Sequence, residues 1–164
     1  MLNTAKYENA ILYFAEHQSD KTIHGRKKLA KLLYYADFDR FEYKQSMRTI
    51  TGDTYENYPM GPVPNAYREV ADSMAERGLL TITTKSEYAG KNATTLYRAR
   101  VAPDLTVFDT DDRNILERVC TKYAGLNGTQ LEILTHREAP WAGTALRETI
   151  PFEMAFYRGT NFNE

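Results

Sequence analysis

The stretch from Arg26 to Gln45 constrains what this chain can fold into more than any other. Read as a helix turning about 100° per residue, it places Leu29, Leu32, Leu33, Ala36 and Tyr43 on one side. Tyr34, Phe38 and Phe41 then fall on nearly the opposite side. A helix that is apolar on two opposed faces has to be covered twice. Either it runs through the centre of the fold, or one face is left for a partner. The same helix carries Asp37 and Asp39, which two-residue spacing points apart, so they do not form a proton-sharing pair.

The flanking segments supply the cover. Tyr7, Ala10, Ile11, Phe14 and Ala15 form one apolar stripe on a helix from Ala5 to about His17, followed by a polar turn around Ser19, Asp20 and Gly25. Ile50 to Tyr58 reads as extended chain with a turn or bulge at Gly52-Asp53. Pro59, Gly61, Pro62 and Pro64 then read as a stiffened turn feeding a third helix, whose buried stripe is Val63, Tyr67, Val70, Ala71 and Met74 and whose stop is Gly78. Leu79–Lys85 and Thr94–Val101 read as two strands joined near Gly90-Lys91-Asn92. Asp109 or Thr110 caps a fourth helix, with Ile115, Leu116, Val119, Cys120 and Tyr123 inward and an end at Gly125. A capping box from Thr129 to Glu132 opens a fifth helix that stops near Pro140. Pro151 starts a last short helix, closed by Gly159. The expected architecture is α+β: one mostly helical domain over residues 1–164, with about five to six helices and a small antiparallel β-hairpin or sheet.

Composition narrows the chemistry. The 164 residues are 42% apolar and 26% charged, as in a soluble globular chain, and charged residues interrupt every apolar run before it could span a bilayer. The amino-terminal stretch has no basic start, unbroken apolar run and small-residue cleavage site, so no secretory signal is expected. One cysteine, Cys120, rules out an intrachain disulfide and a cysteine-based zinc cluster and fits a reducing cytoplasm. Twelve tyrosines and seven phenylalanines are unusual, and tyrosine suits surfaces that are wet when free and buried when bound.

Catalytic signals are poor. His17, His24 and His136 lack ligand spacing, Cys120 sits on an inward helical stripe, and no nucleophile elbow, P-loop or dinucleotide fingerprint occurs. No catalytic, cofactor or metal residue is therefore assigned. A nucleic-acid reading has more substance: the helix from Pro64 to Arg77 followed by two strands resembles the recognition helix and wing of a winged helix-turn-helix, with Arg98 and Arg100 placed for phosphates. Against it, that helix carries Glu69, Asp72 and Glu76 beside only Arg68 and Arg77, and the net charge is −1. The basic run His24–Lys28 reads as a solvated helix start. In "HREAPW", Trp141 either plugs the core beside a hydrogen-bonded His136 or lies near a partner surface.

Three motifs in order, "KLAKLLYYADF", "MGPVPNAY" and "LTHREAPW", resemble the Panacea-type antitoxin domain, a family that includes SocA-like proteolytic adaptors and phage-associated relatives. The family's Lys-Leu-x-Lys-Leu-Leu-Tyr-Tyr-Ala helix is matched by Lys28 to Ala36, including Leu29, Leu32, Leu33 and Tyr35. Its Tyr-Gly-Pro-Val turn is matched by Gly61, Pro62 and Val63, with Met60 in place of the tyrosine and Tyr67 on the following helix. Its His-x-x-x-x-Trp ending is matched by His136 and Trp141. These motif residues are expected to hold the fold. The resemblance implies an antitoxin that neutralises a cognate protein toxin by direct contact, with delivery of a bound protein to a protease as the alternative and a protease or chaperone as the further partner. The resemblance also implies that members pair with toxins of unrelated kinds and that some carry an added DNA-binding domain, for which this chain is expected to have no room, so self-regulation through operator binding is not expected. Exposed aromatics of the second helix, Tyr34, Phe38 and Phe41, and the loop residues Tyr55, Tyr58 and Met60 are the expected contact residues. On that expectation, removing Tyr34 and Phe38 would abolish neutralisation and leave the fold intact.

Overall fold

The expected double cover of the second helix is supplied by the chain itself. The computed structural model describes residues 1–86 and 93–164. Helix α1 spans Thr4–Glu16, α2 Arg26–Glu42, α3 Tyr67–Glu76, α4 Thr110–Tyr123, α5 Gly128–His136 and α6 Ala139–Ala142. Strands are β1 Thr22–His24, β2 Tyr55–Tyr58, β3 Gly61–Pro64, β4 Leu80–Lys85 and β5 Thr94–Ala99. Helix α2 is the axis, with every residue from Lys28 to Phe41 buried. Helices α4 and α5 cover one part of it, and β3 and a 3-10 turn at Phe152–Tyr157 cover another. The α+β class expected from the sequence is the observed one.

Tyr34, Phe38 and Tyr55 have no exposed surface and Phe41 only 6%, which corrects the expectation that they face a partner. Phe38 packs 4.5 Å from Tyr34, 5.4 Å from Tyr55 and 4.8 Å from Phe152 between ring centroids, and Phe41 lies 5.4 Å from Phe152. The second apolar face is met by Phe152, from a segment distant in the chain, so the helix needs no partner to complete it. Leu29, Leu32, Leu33 and Tyr35 lie in the same buried cluster.

Three local expectations change. The proline-rich segment is not the entry to a helix: Gly61–Pro64 is a strand paired with β2 in the register Tyr55↔Pro64 to Tyr58↔Gly61, and Val63 belongs to that strand. Proline is tolerated because β3 is an edge strand, where a missing N–H breaks no ladder. The polar turn after α1 contains β1, which extends β5 in a three-stranded antiparallel sheet ordered β1-β5-β4. Helix α5 begins on a capping box of Asn127 and Gln130, two residues earlier than expected, since the Asn127 side chain accepts the Gln130 N–H and the Gln130 side chain accepts the Asn127 N–H. Asp109 caps α4, and α2 ends at Glu42 and continues as a 3-10 turn at Tyr43–Gln45. The expected turn at Gly90-Lys91-Asn92 lies outside the described residues.

Because Phe38 touches rings from three elements, Phe38→Ala is expected to lower unfolding free energy by about 3–5 kcal/mol in denaturant titrations. A loss under about 1 kcal/mol would place this ring outside the core.

Candidate partner-binding surface

The β2–β3 hairpin is held on both edges, and only its tip is open. On the outer edge of β2, the Ile150 N–H donates to Tyr55 O at 2.8 Å, the Asn57 N–H to Glu148 O at 3.0 Å and the Arg147 N–H to Asn57 O at 2.6 Å. Asn57, 1% exposed, donates from Nδ2 to Trp141 O at 3.0 Å and Thr144 O at 2.7 Å. Trp141 is half-buried, stacks on His136 at 3.9 Å and donates from Nε1 to Tyr58 O at 2.9 Å. Neither expected role describes it fully: Trp141 braces the hairpin from the side.

The outer edge of β3 is sealed differently. Pro62 and Pro64 have no N–H to offer there, and Pro62 O accepts a 2.8 Å hydrogen bond from Lys31 Nζ. Gly61 has φ +111°, and a Cβ at that position would lie 2.6 Å from Lys31 Cε and 2.9 Å from Thr135 Oγ1. Only glycine fits, which gives the Gly-Pro-Val motif a physical cause. At the base of the hairpin, Asp53 Oδ2 accepts from Tyr7 Oη at 2.7 Å and from the Ala66 N–H at 2.9 Å. Asp37 accepts both the Ile50 and Thr51 N–H groups, at 2.8 and 2.9 Å, and the Tyr55 hydroxyl at 2.7 Å.

What remains open is a groove of about 520 Å³ lined by Tyr58, Pro59, Met60, Val63, Pro64, Asn65, Tyr67 and Arg68. Met60 is 58% exposed at the turn. The Tyr58 hydroxyl donates to Glu56 at 2.8 Å, and the Tyr67 hydroxyl accepts from Arg68 Nε at 3.1 Å. With both hydroxyls engaged, the groove presents mainly rings, proline faces and a thioether. That composition is equipped to bury apolar surface.

Of the expected contact residues, the structure brings Tyr58 and Met60 to this groove and places Tyr34, Phe38, Phe41 and Tyr55 in the core. Sequence reasoning missed Lys31 and Asn57, whose polar side chains lie in otherwise ordinary helical and extended stretches. It also missed the 147–150 segment, which carries no strand signal. The remaining chemistry is dispersed. Burial pushes the Cys120 thiol up to about 12, which leaves it un-ionised. No group of His, Cys, Asp and Glu among the described residues is arranged to hold a metal ion. No helix among them is long and apolar enough to cross a membrane. Helix α3, β4 and β5 do follow in the order of a recognition helix and wing, but Arg98 pairs with Asp20 and Arg77 with Glu8. The exposed face of α3 carries Glu69, Asp72 and Glu76.

The match to a family model settles the lineage: the model described as "Antitoxin SocA-like, Panacea domain" covers residues 29–142. The chain belongs to this family. Searches of curated proteins and of solved structures found no match. In this SocA-like chain the matched span runs from α2 to α6, so it includes the hairpin, Lys31 and the His136–Trp141 brace. The 147–150 segment that zips β2 lies beyond it.

Lys31 gives the hairpin a pH signature. Burial, with Lys27 adding to it and Glu132 opposing it, lowers the Lys31 amine from 10.5 to about 7. Between those values the unfolded chain binds more protons than the folded one, so this group makes stability rise with pH. Chemical denaturation at about pH 7 and about pH 9 should show that rise, and Lys31→Met should remove most of it. An unchanged slope in Lys31→Met would mean another group carries it.

Proposed function

We propose that this chain is an antitoxin that neutralises a cognate toxin protein by direct contact in the cytoplasm, without catalysing a reaction, and that the tip of the β2–β3 hairpin forms part of the contact. Membership of the SocA-like family is the observation that carries the antitoxin role. The surface assignment is supported by the hairpin itself: both edges are closed, and its exposed turn offers apolar groups beside a half-buried tyrosine. Binding energy at protein interfaces concentrates in a few aromatic and large apolar groups that fit such grooves. A rigid tip also loses little conformational entropy on binding.

Delivery of the bound toxin to a protease is the alternative, and it differs only in the fate of the toxin once contact is made. Toxin levels would then fall in a protease-dependent manner, whereas sequestration leaves them constant. A winged-helix role in DNA binding is favoured by the order α3, β4, β5 and opposed by the carboxylates on α3.

The test is co-expression with the product of the adjacent open reading frame whose expression alone stops growth. Met60→Asp is expected to weaken binding by about tenfold or more and to abolish rescue, while the melting midpoint stays within about 1 °C because the side chain is exposed. Full rescue by Met60→Asp together with Tyr58→Ala would remove the hairpin tip from the contact.

A further inference from the structure

The last described segment, Gly159–Glu164, lies across a groove that it satisfies only in part. Gly159 has φ +65°, with no heavy atom within 4 Å of where a Cβ would stand. Beyond it, Thr160 Oγ1 donates to Glu42 Oε1 at 2.7 Å, Asn161 O accepts from Arg118 Nη2 at 3.4 Å, and the Phe162 ring rests 5.2 Å from Tyr43 and 4.7 Å from the Arg118 guanidinium. Phe162 is only partly buried, and open volumes of about 380 and 530 Å³ flank it. Two charged atoms in the same groove are buried and have no hydrogen-bond partner, Glu42 Oε2 and Arg118 Nε. The Glu42 side chain is 9% exposed.

A buried carboxylate oxygen and a buried guanidinium N–H without partners are costly, and native surfaces rarely keep them. Their needs are complementary, since one calls for a donor and the other for an acceptor. The groove is also short of positive charge. Arg118 and Arg158 face the carboxylates of Asp39, Glu42 and Glu138, while Lys44 is already paired with Asp111. Glu117 and Lys122 at the rim offset one another, and Glu164 adds a further negative charge. The exposed apolar groups Met47 and Phe156 sit beside it, Met47 on left-handed backbone at φ 55°.

We propose that this groove is a second protein-docking site, occupied in cis by residues 159–164, and that it takes a partner segment with a basic residue two positions before an aromatic one. The aromatic ring replaces Phe162, and the basic side chain enters at Thr160 and reaches the free oxygen of Glu42. In the segment now present Thr160 and Phe162 both turn into the groove, Thr160 onto Glu42 and Phe162 onto Tyr43 and Arg118, with a turn at Phe162–Asn163, and the partner's two residues take those places. The site shares no lining residue with the hairpin groove and stands whether or not the toxin contacts that groove.

The probe is a labelled hexapeptide of residues 159–164, followed by fluorescence anisotropy. The wild-type chain should ignore it because its own segment occupies the groove, and Phe162→Ala should bind it. The peptide carrying Thr160→Arg should bind Phe162→Ala about tenfold tighter, the gain expected of one charge-assisted contact, and added Glu42→Gln should erase that gain. In the intact chain, Thr160→Arg should slow hydrogen exchange over residues 160–164. Failure of Phe162→Ala to bind, or equal binding by both chains, overturns the site. Absence of the arginine gain overturns the partner's chemistry. A drop in melting midpoint for Phe162→Ala as large as that for Phe38→Ala would make the segment core and also overturn the proposal. None of these readouts involves a toxin, so their failure leaves the antitoxin reading untouched.

Discussion

Burial of α2 from Lys28 to Phe41 is the constraint on which the rest of the structure depends, and its charged residues make it demanding. Lys28, Lys31, Asp37, Asp39 and Arg40 are all at most 8% exposed, so each must find its partner inside the protein. Lys28 donates to Gln18 and to Ala124 O, both at 2.7 Å, which ties the ends of α1 and α4 to the helix. Arg40 pairs with Asp112 at 2.8 Å, and Lys6 reaches the same carboxylate from α1 at 2.6 Å. Asp39 accepts from Arg118 and Arg158, both at 2.7 Å. The ion pairs of Arg40 and Asp39 specify which element lies where, because losing one partner of a buried ion pair costs on the order of 3–5 kcal/mol.

Arg158 shows how far this reaches. Its guanidinium contacts Asp39, Glu42 and Glu138, and Glu138 in turn accepts the Tyr34 and Tyr35 hydroxyls at 2.8 and 3.0 Å. One side chain thereby closes the second face of α2, the same face whose aromatics look unpartnered in sequence. The apolar half of that closure comes from Phe152, six residues earlier. Ring packing supplies burial, and the guanidinium supplies register.

Much of this is legible in the sequence, and the failures share a cause. The stripe of α1, the double face of α2, the inner face of α4 and the wing strands follow from periodicity, which is local. Periodicity says that Tyr34 and Phe38 need cover but not who provides it, and the provider lies far along the chain. The hairpin escapes a local reading because proline at a helix start and proline on an edge strand leave the same trace; only pairing with Tyr55–Tyr58 distinguishes them. Strand β1 is three residues long and exists because β5 offers it an edge. At the candidate surface, Tyr58 and Met60 are legible because an aromatic and a thioether at a proline turn have no evident inward face. Lys31 is not, since its burial depends on where Pro62 arrives.

The residues that reveal the family are largely those that hold the fold. Lys28 to Ala36 is buried throughout, Gly61 is confined by Lys31 and Thr135, and Trp141, stacked on His136, braces the hairpin from the side. A scaffold of this kind fixes the position of a turn without specifying its side chains. Pro59 and Met60 are exposed and touch none of the buried ion pairs, so they can change with little effect on stability. The two roles are thereby separated: buried polar contacts from Lys31 and Asp37 keep the hairpin in place, and the side chains of its turn can vary without disturbing them.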